Sequence, residues 1–428
     1  MSARFLIGAA LLALATPAMA QDLAVTGATV ALGDGSDPIE NATVVIRGGQ
    51  VVAAGTGVAV PAGVQAVDGR GMWVTPGLFA SITDLGLVDV DAVSDSNDIG
   101  ANNSPYSAAL DVAPAINPQA QDFSYSRAGG VTRASVTPSA GSSIFAGQGA
   151  LVDLSDDYDA VMQARSFQLV EMGERGASLA GGSRTSVYAM LHNALAEAAA
   201  YRQSGTWDDS GMLNRLDTIA LVPVLTGEQK LYVRVHRAAD ILSVLALRDE
   251  YPALDMVLLG VTEGWMVADR IAAAGVPVIT VALNDLPASF ERLAATQSNV
   301  GRMVDAGVMV GIGGYESSAD HPRNLPQQAG NMVALNNVTG ATGLTWGEAF
   351  AAITSVPARI AGMDDAGVLA PGAHGDLVIW DGDPLEVSSA PLRVFIDGVE
   401  QPLDNHQTRL RDRYRSLDES QLPRGYER

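Results

Sequence analysis

The sequence predicts an α/β protein, a closed parallel barrel of strands and helices with a small β module built from segments near both ends of the chain. Three observations carry this. Leu23 to Val74 alternates short β-branched runs with Gly- and Pro-rich turns. From Pro76 onward, strand-length apolar runs alternate with longer helical stretches, the mark of repeated βα units. From Gly367 to Val399 strand character returns, so the two ends can complete one module beside the barrel.

Taken in order, the first twenty residues, MSARFLIGAALLALATPAMA, have Arg4 ahead of an apolar run and Ala18-Met19-Ala20 before Gln21. This reads as a secretory signal peptide cleaved after Ala20, too short to anchor in a bilayer, and places the mature protein in the periplasm or outside the cell. Residues 21–74 form the first part of the β module: VTGATVAL, then ATVVIRGGQVVAAG turning on Gly48-Gly49, then VQAVDGRGMWV, all read as hairpins. Residues 75–365 form the barrel, with its clearest strands in IALVPVL, YVRVH, DMVLLG, VPVITVAL and GVMVGIGGY. Such uninterrupted β-branched runs suit strands buried on both faces, and an open doubly wound sheet fits the same pattern. Residues 366–403 complete the β module, and 404–428 form a tail whose RLRDRYRSL reads as a solvated helix.

Composition narrows the function. A chain of 428 residues with 47% hydrophobic content can bury a barrel and a smaller module. A net charge of −22 argues against nucleic acid and anionic membrane as partners, since both require a basic surface. The absence of cysteine removes disulfides, thiol nucleophiles and thiolate metal sites. No stretch of the mature protein is apolar for long enough to span a membrane.

GRGMWVTPGL, AGGVTRASVTPSAGSSIFAGQGALVDL, HRAADI, GVTEGW and the closing AAITSVPARIAGMDDAGVLAPGAHGDLVIWDGDP with RVFIDG together resemble the amidohydrolase superfamily. The similarity is to its imidazolonepropionase-like and dihydroorotase-like enzymes, and it covers nearly all of the chain after the leader. It implies a (β/α)8 TIM barrel with a small β-sandwich made from both ends. It also implies one or two divalent metals where the loops following the strands converge, with an aspartate as base. The ligand positions carried over from the family are substituted here. A family H-x-H after PGL falls on Ile82 and Asp84, of which only Asp84 offers an oxygen. The next histidine position falls on Arg234, with His236 two residues on, and the one after falls on Gly260 of GVTEG. Tyr315 stands where the catalytic aspartate is expected. The single lysine, Lys230, lies outside the position of a bridging carboxylated lysine.

The expectation is therefore a pseudoenzyme with a dismantled metal site. It would act by binding a small ligand in the barrel mouth or by pairing with an active relative or a second copy, with no cofactor. The alternative is a hydrolase of non-peptide or cyclic amide bonds with a rebuilt zinc site. Asp84, His236 and His321 are the weak metal candidates, with Glu263 and Asp320 as further oxygen donors, and His236, Glu263 and Tyr315 are the candidates for contact with substrate. His192, His374 and His406 read as helix, turn and tail residues. The acidic run from Asp84 to Asp98 lacks the glycine and distal glutamate of a calcium loop. GSSIFAGQG lacks the Lys-Ser or Lys-Thr of a phosphate loop and reads as barrel wall, and no G-x-S-x-G elbow occurs.

Overall fold

The computed structural model describes residues 20–90, 93–314 and 321–415. Residues 1–19, which hold most of the expected leader, and Asp91, Tyr315 and Asp320 lie outside the described residues.

The first five strands are β1 (Leu23–Val30), β2 (Ile39–Arg47), β3 (Gln50–Gly55), β4 (Gln65–Asp68) and β5 (Trp73–Pro76). β2 and β3 form an antiparallel hairpin whose two-residue loop is Gly48-Gly49, at φ of 56° and 80°. Two consecutive positive φ values define the turn that matches the right-handed twist of paired strands, and glycine takes them without steric cost. VQAVDGRGMWV is not a hairpin, which corrects the sequence reading. Its two strands both run parallel to β1, β4 along Leu23–Thr26 and β5 along Thr29–Val30. The chain steps outward at Gly69 to Gly71 and continues in the same direction, opposite the irregularity in β1 around Gly27.

The barrel follows: β6 (Leu78–Thr83), β7 (Val131–Val136), β8 (Phe145–Asp153), β9 (Val161–Glu171), β10 (Lys230–Val235), β11 (Met256–Gly260), β12 (Val278–Thr280) and β13 (Val310–Ile312). They lie side by side in chain order. The ring nearly closes, with the Gly314 N–H donating to Ser81 O at one end of the seam. Along the rest, Ala352 and Ile353 accept from Ile312 and Phe79. Every neighbouring pair is parallel except those made by β8, which is antiparallel to both β7 and β9. The Gly-rich stretch is thus a wall strand entered without a crossover helix. Gly149 is required there because a Cβ would lie 2.0 Å from the Phe167 ring.

IALVPVL, expected as a barrel strand, is helical instead, covered by Arg215–Ala220 and Val222–Thr226. Asn214 caps the first of these helices, and Pro223 sits near the start of the second, where its missing N–H costs nothing. The run still buries Leu221 and Val224, but it does so against the outside of the barrel.

After the barrel, β14 (Leu377–Trp380), β15 (Pro391–Ile396) and β16 (Val399–Gln401) join the first sheet through the β14–β5 pairing, giving the order β16-β15-β14-β5-β1-β2-β3. That sheet encloses its own core, including Val25, Val44, Ile46, Leu377 and Phe395. A helix at His406–Tyr414, capped by Asn405, buries none of its side chains.

The sheet and the foot of the barrel are joined by charge. Arg133 of β7, 1% exposed, makes a two-pronged bond to Asp376 (2.8 and 3.1 Å) and a third to Asp397 at 2.8 Å. His374 Nδ1 lies 2.6 Å from Asp397. Burial works against the Arg133 charge, but the two carboxylates outweigh it and hold the guanidinium firmly protonated.

Candidate functional site

The mouth of the barrel is where the strands β6, β9, β10 and β11 end, and two of these ends are strained. Ile82 has φ of 58° and Val261 φ of 42°, conformations costly for β-branched residues, about 1–3 kcal/mol each. At Ile82 the β6–β7 register is broken, and the side chain turns into the barrel interior with Phe167, Leu169 and Tyr232. The first family ligand position is therefore part of an apolar plug, in which the Phe167 and Tyr232 rings stack at 4.2 Å.

His236 directly follows β10 and its loop start, and it is 3% exposed. Its Nδ1 lies 2.9 Å from Thr262 Oγ1, and its Nε2 lies 2.9 Å from Arg292 Nη2. A guanidinium can only donate, so Nε2 is the acceptor and Nδ1 carries the proton toward Thr262. Burial, reinforced by the charges of Arg292 and Arg234, holds the imidazole pKa well below its ordinary value. The ring lies over Gly260, where an ideal Cβ would meet His236 Cε1 at 2.3 Å. An imidazole from the end of the neighbouring strand thus occupies the space that a side chain at position 260 would take.

Around this ring the mouth is filled by ion pairs. Arg234, aimed inward from β10, lies 3.1 Å from Glu171 at the end of β9. Arg184 donates to Asp240 at 2.7 Å and approaches Glu291 at 3.4 Å, and Arg237 donates to the other oxygen of Asp240 at 3.1 Å. Glu263 accepts from the Ala238 and Ala294 N–H groups, pinning the loop after β12 to the start of the helix after β10. Glu263, a candidate for substrate contact, is therefore 7% exposed and engaged with backbone.

Asp84 and His321 come together elsewhere. They border a cavity of about 360 Å³ that also receives Asp122 and Tyr125 of the helix Gln121–Ala128, together with His406 and Gln407. The Tyr125 and His321 rings meet edge to face at 5.1 Å. Asp122 accepts from Gly86 N, yet burial, joined by the neighbouring charge of Asp84, pushes its carboxyl up to about 7. His236 is not among the residues lining this cavity. The structure therefore sets Asp84 and His321 around one cavity but places His236 in the arginine network. His406, read from sequence as a tail residue, stands at the cavity edge. Arg292 and Asp122 were missed by the sequence reading; Arg292 could have been noticed as the only basic residue in the loop VALNDLPASFERLAATQ.

A metal of the amidohydrolase kind does not fit this donor set. Nε2 of His236 is engaged by a cation, position 260 has no side chain, position 82 is apolar and position 234 is itself cationic. Among the described residues no three His, Asp or Glu side chains converge as a metal site.

Barrel, strand-end mouth and two-ended sheet define an α/β barrel protein with a small β module. Residues 227–402 match the sequence profile of the Amidohydrolase family, so this segment, less than half of the chain, is similar to an amidohydrolase domain. A curated relative, Amidohydrolase tasK of Hapsidospora irregularis, is 43% identical over 60 residues, a match covering 14% of this chain and only 6% of that protein. Among solved structures, an amidohydrolase from Thermotoga maritima MSB8 superposes with a TM-score of 0.77 at 21% identity, covering 88% of this chain and 99% of that one. A prolidase complexed with N-methylphosphonate-L-proline gives 0.53 at 17% identity, covering 88% and 98%. Molinate hydrolase gives 0.54 at 16% identity, covering 90% and 95%. At these identities the structural likenesses establish the fold.

Proposed function

We propose that this chain is an exported amidohydrolase-like protein in which ion pairing has replaced metal chemistry. It works by binding a small ligand at the barrel mouth or by pairing with an active relative. One observation carries the reading: the lone pair of His236 that would bind a metal accepts a hydrogen bond from Arg292. A ligating imidazole must offer that lone pair, and a metal cation beside two arginines would be repelled. The cavity beside Asp84, Asp122 and Tyr125 is large enough for a small molecule. The signal-peptide pattern before Gln21 supports export.

The test is the metal content of the mature protein, purified without chelators and without added zinc. Folded protein that carries no stoichiometric metal agrees with the proposal. Near-stoichiometric zinc, manganese or iron refutes it and makes the chain a hydrolase with a rebuilt site. Amino-terminal sequencing of the exported protein tests the cleavage after Ala20.

A further inference from the structure

Two loops on the rim of the mouth carry large apolar side chains that face solvent. Leu286, Phe290 and Leu293 of the loop after β12 are 70%, 83% and 64% exposed, and Met266 of the loop after β11 is 53% exposed. The loops are fastened together: Trp265 Nε1 donates to Ala294 O at 2.9 Å, and Glu263 accepts from Ala294 N at 3.1 Å. The segment is two-sided as well. Glu291, 6% exposed, accepts from Glu174 N, and Arg292 reaches His236, so the residues between Phe290 and Leu293 point inward while those two point outward.

The inner side accounts for the loop's position and leaves the outer side unexplained. The four side chains together expose on the order of 500 Å² of apolar surface, toward the upper end for the largest patch on a typical monomer. A stable interface takes about 800 Å² from each partner, with an apolar centre and a polar rim. The patch has the size of such a centre.

The geometry points to self-association: two copies of this chain meet through Met266, Leu286, Phe290 and Leu293, mouth rim to mouth rim. Charge selects the second copy as the occupant. The chain carries a net charge of −22, so a copy is repelled over most of the surface and can approach only where charge has been withdrawn. These four residues are uncharged, and in the segment from Val281 to Phe290 only Asp285 is ionisable. A basic partner would be drawn to the acidic surface and would need no neutral face. An apolar patch is also self-complementary, as a two-fold interface requires. This association does not depend on whether the mouth holds a metal.

The experiment is sedimentation velocity on the mature chain over a range of concentrations, at low and at high salt. The expected result is a dimer that tightens as salt screens the repulsion. Phe290→Asp and Leu293→Asp should each weaken it at least tenfold. Both side chains face solvent, and an unchanged circular dichroism spectrum confirms that the fold survives. Val387→Asp, at a site 79% exposed beyond β14, should leave the dimer intact. A wild-type chain that stays monomeric overturns the inference. So does a dimer indifferent to the Phe290 and Leu293 changes, or one equally sensitive to Val387→Asp.

Discussion

Gly260→Ala is the most direct test of how the mouth is built. Gly260 has φ of 84°, and a Cβ there would lie 2.3 Å from His236 Cε1 and 2.9 Å from each ring nitrogen. Forcing alanine into the left-handed region costs about 1–2 kcal/mol. The ring cannot remain in place, and moving it breaks its contacts with Thr262 and Arg292. Two hydrogen bonds lost at about 1–1.5 kcal/mol each bring the total destabilisation to about 3–5 kcal/mol. In a His236→Ala background the collision disappears and only the backbone cost of about 1–2 kcal/mol remains. The assay is urea unfolding of the four proteins of the cycle, followed by tryptophan fluorescence. The expected coupling between the two sites is roughly 2–3 kcal/mol. Equal costs of Gly260→Ala in the two backgrounds would mean that the imidazole does not lie over Gly260, and that account of the mouth would fail.

Three further outcomes follow from the same contacts. Arg133→Met strands the charge of Asp376, 1% exposed, and should cost about 3–5 kcal/mol in urea unfolding, with adding Asp376→Asn recovering part of the loss; no recovery would put the cost in packing rather than charge. Asp122 holds its proton up to about 7 when folded, against an ordinary value of 3.8, so between these values the native state binds more protons than the unfolded one. Stability should therefore fall as pH rises from about 4 to about 7, and the thermal midpoint of Asp122→Asn should lose that slope. Replacing Arg292 with alanine removes a charge that depresses His236, so the imidazole pKa followed by NMR should rise, with burial still holding it under its ordinary value.

Much of the architecture is legible in the sequence because it rests on local rules. The Gly48-Gly49 hairpin follows from a two-residue turn that needs positive φ at both positions, and β10 to β13 follow from short β-branched runs. IALVPVL defeats the same rule: a buried helix turn and a buried strand are equally apolar over seven residues. What separates them is the cap at Asn214 and the placement of Pro223. The antiparallel course of β8 is hidden for a related reason, since periodicity records which faces are buried and not the direction of the chain.

The candidate site shows the limit more sharply. Sequence position alone identifies Ile82, Arg234 and Gly260 as departures from the family pattern, and each reads as a loss. In space Gly260 and Arg234 belong to one set of contacts around His236, and Ile82 to the apolar plug beside it. The imidazole over β11 comes from the end of β10, so position 260 has no room for a side chain. Its outward nitrogen is engaged by Arg292 from a loop 56 residues away in sequence, and Arg234 is balanced by Glu171 from the preceding strand. No one-dimensional pattern links these residues, because contact between side chains of different strands leaves no periodicity. The strained turns at Ile82 and Val261 persist beneath them. The backbone of the mouth thus carries strain at two strand ends directly beneath side chains that engage one another across strands.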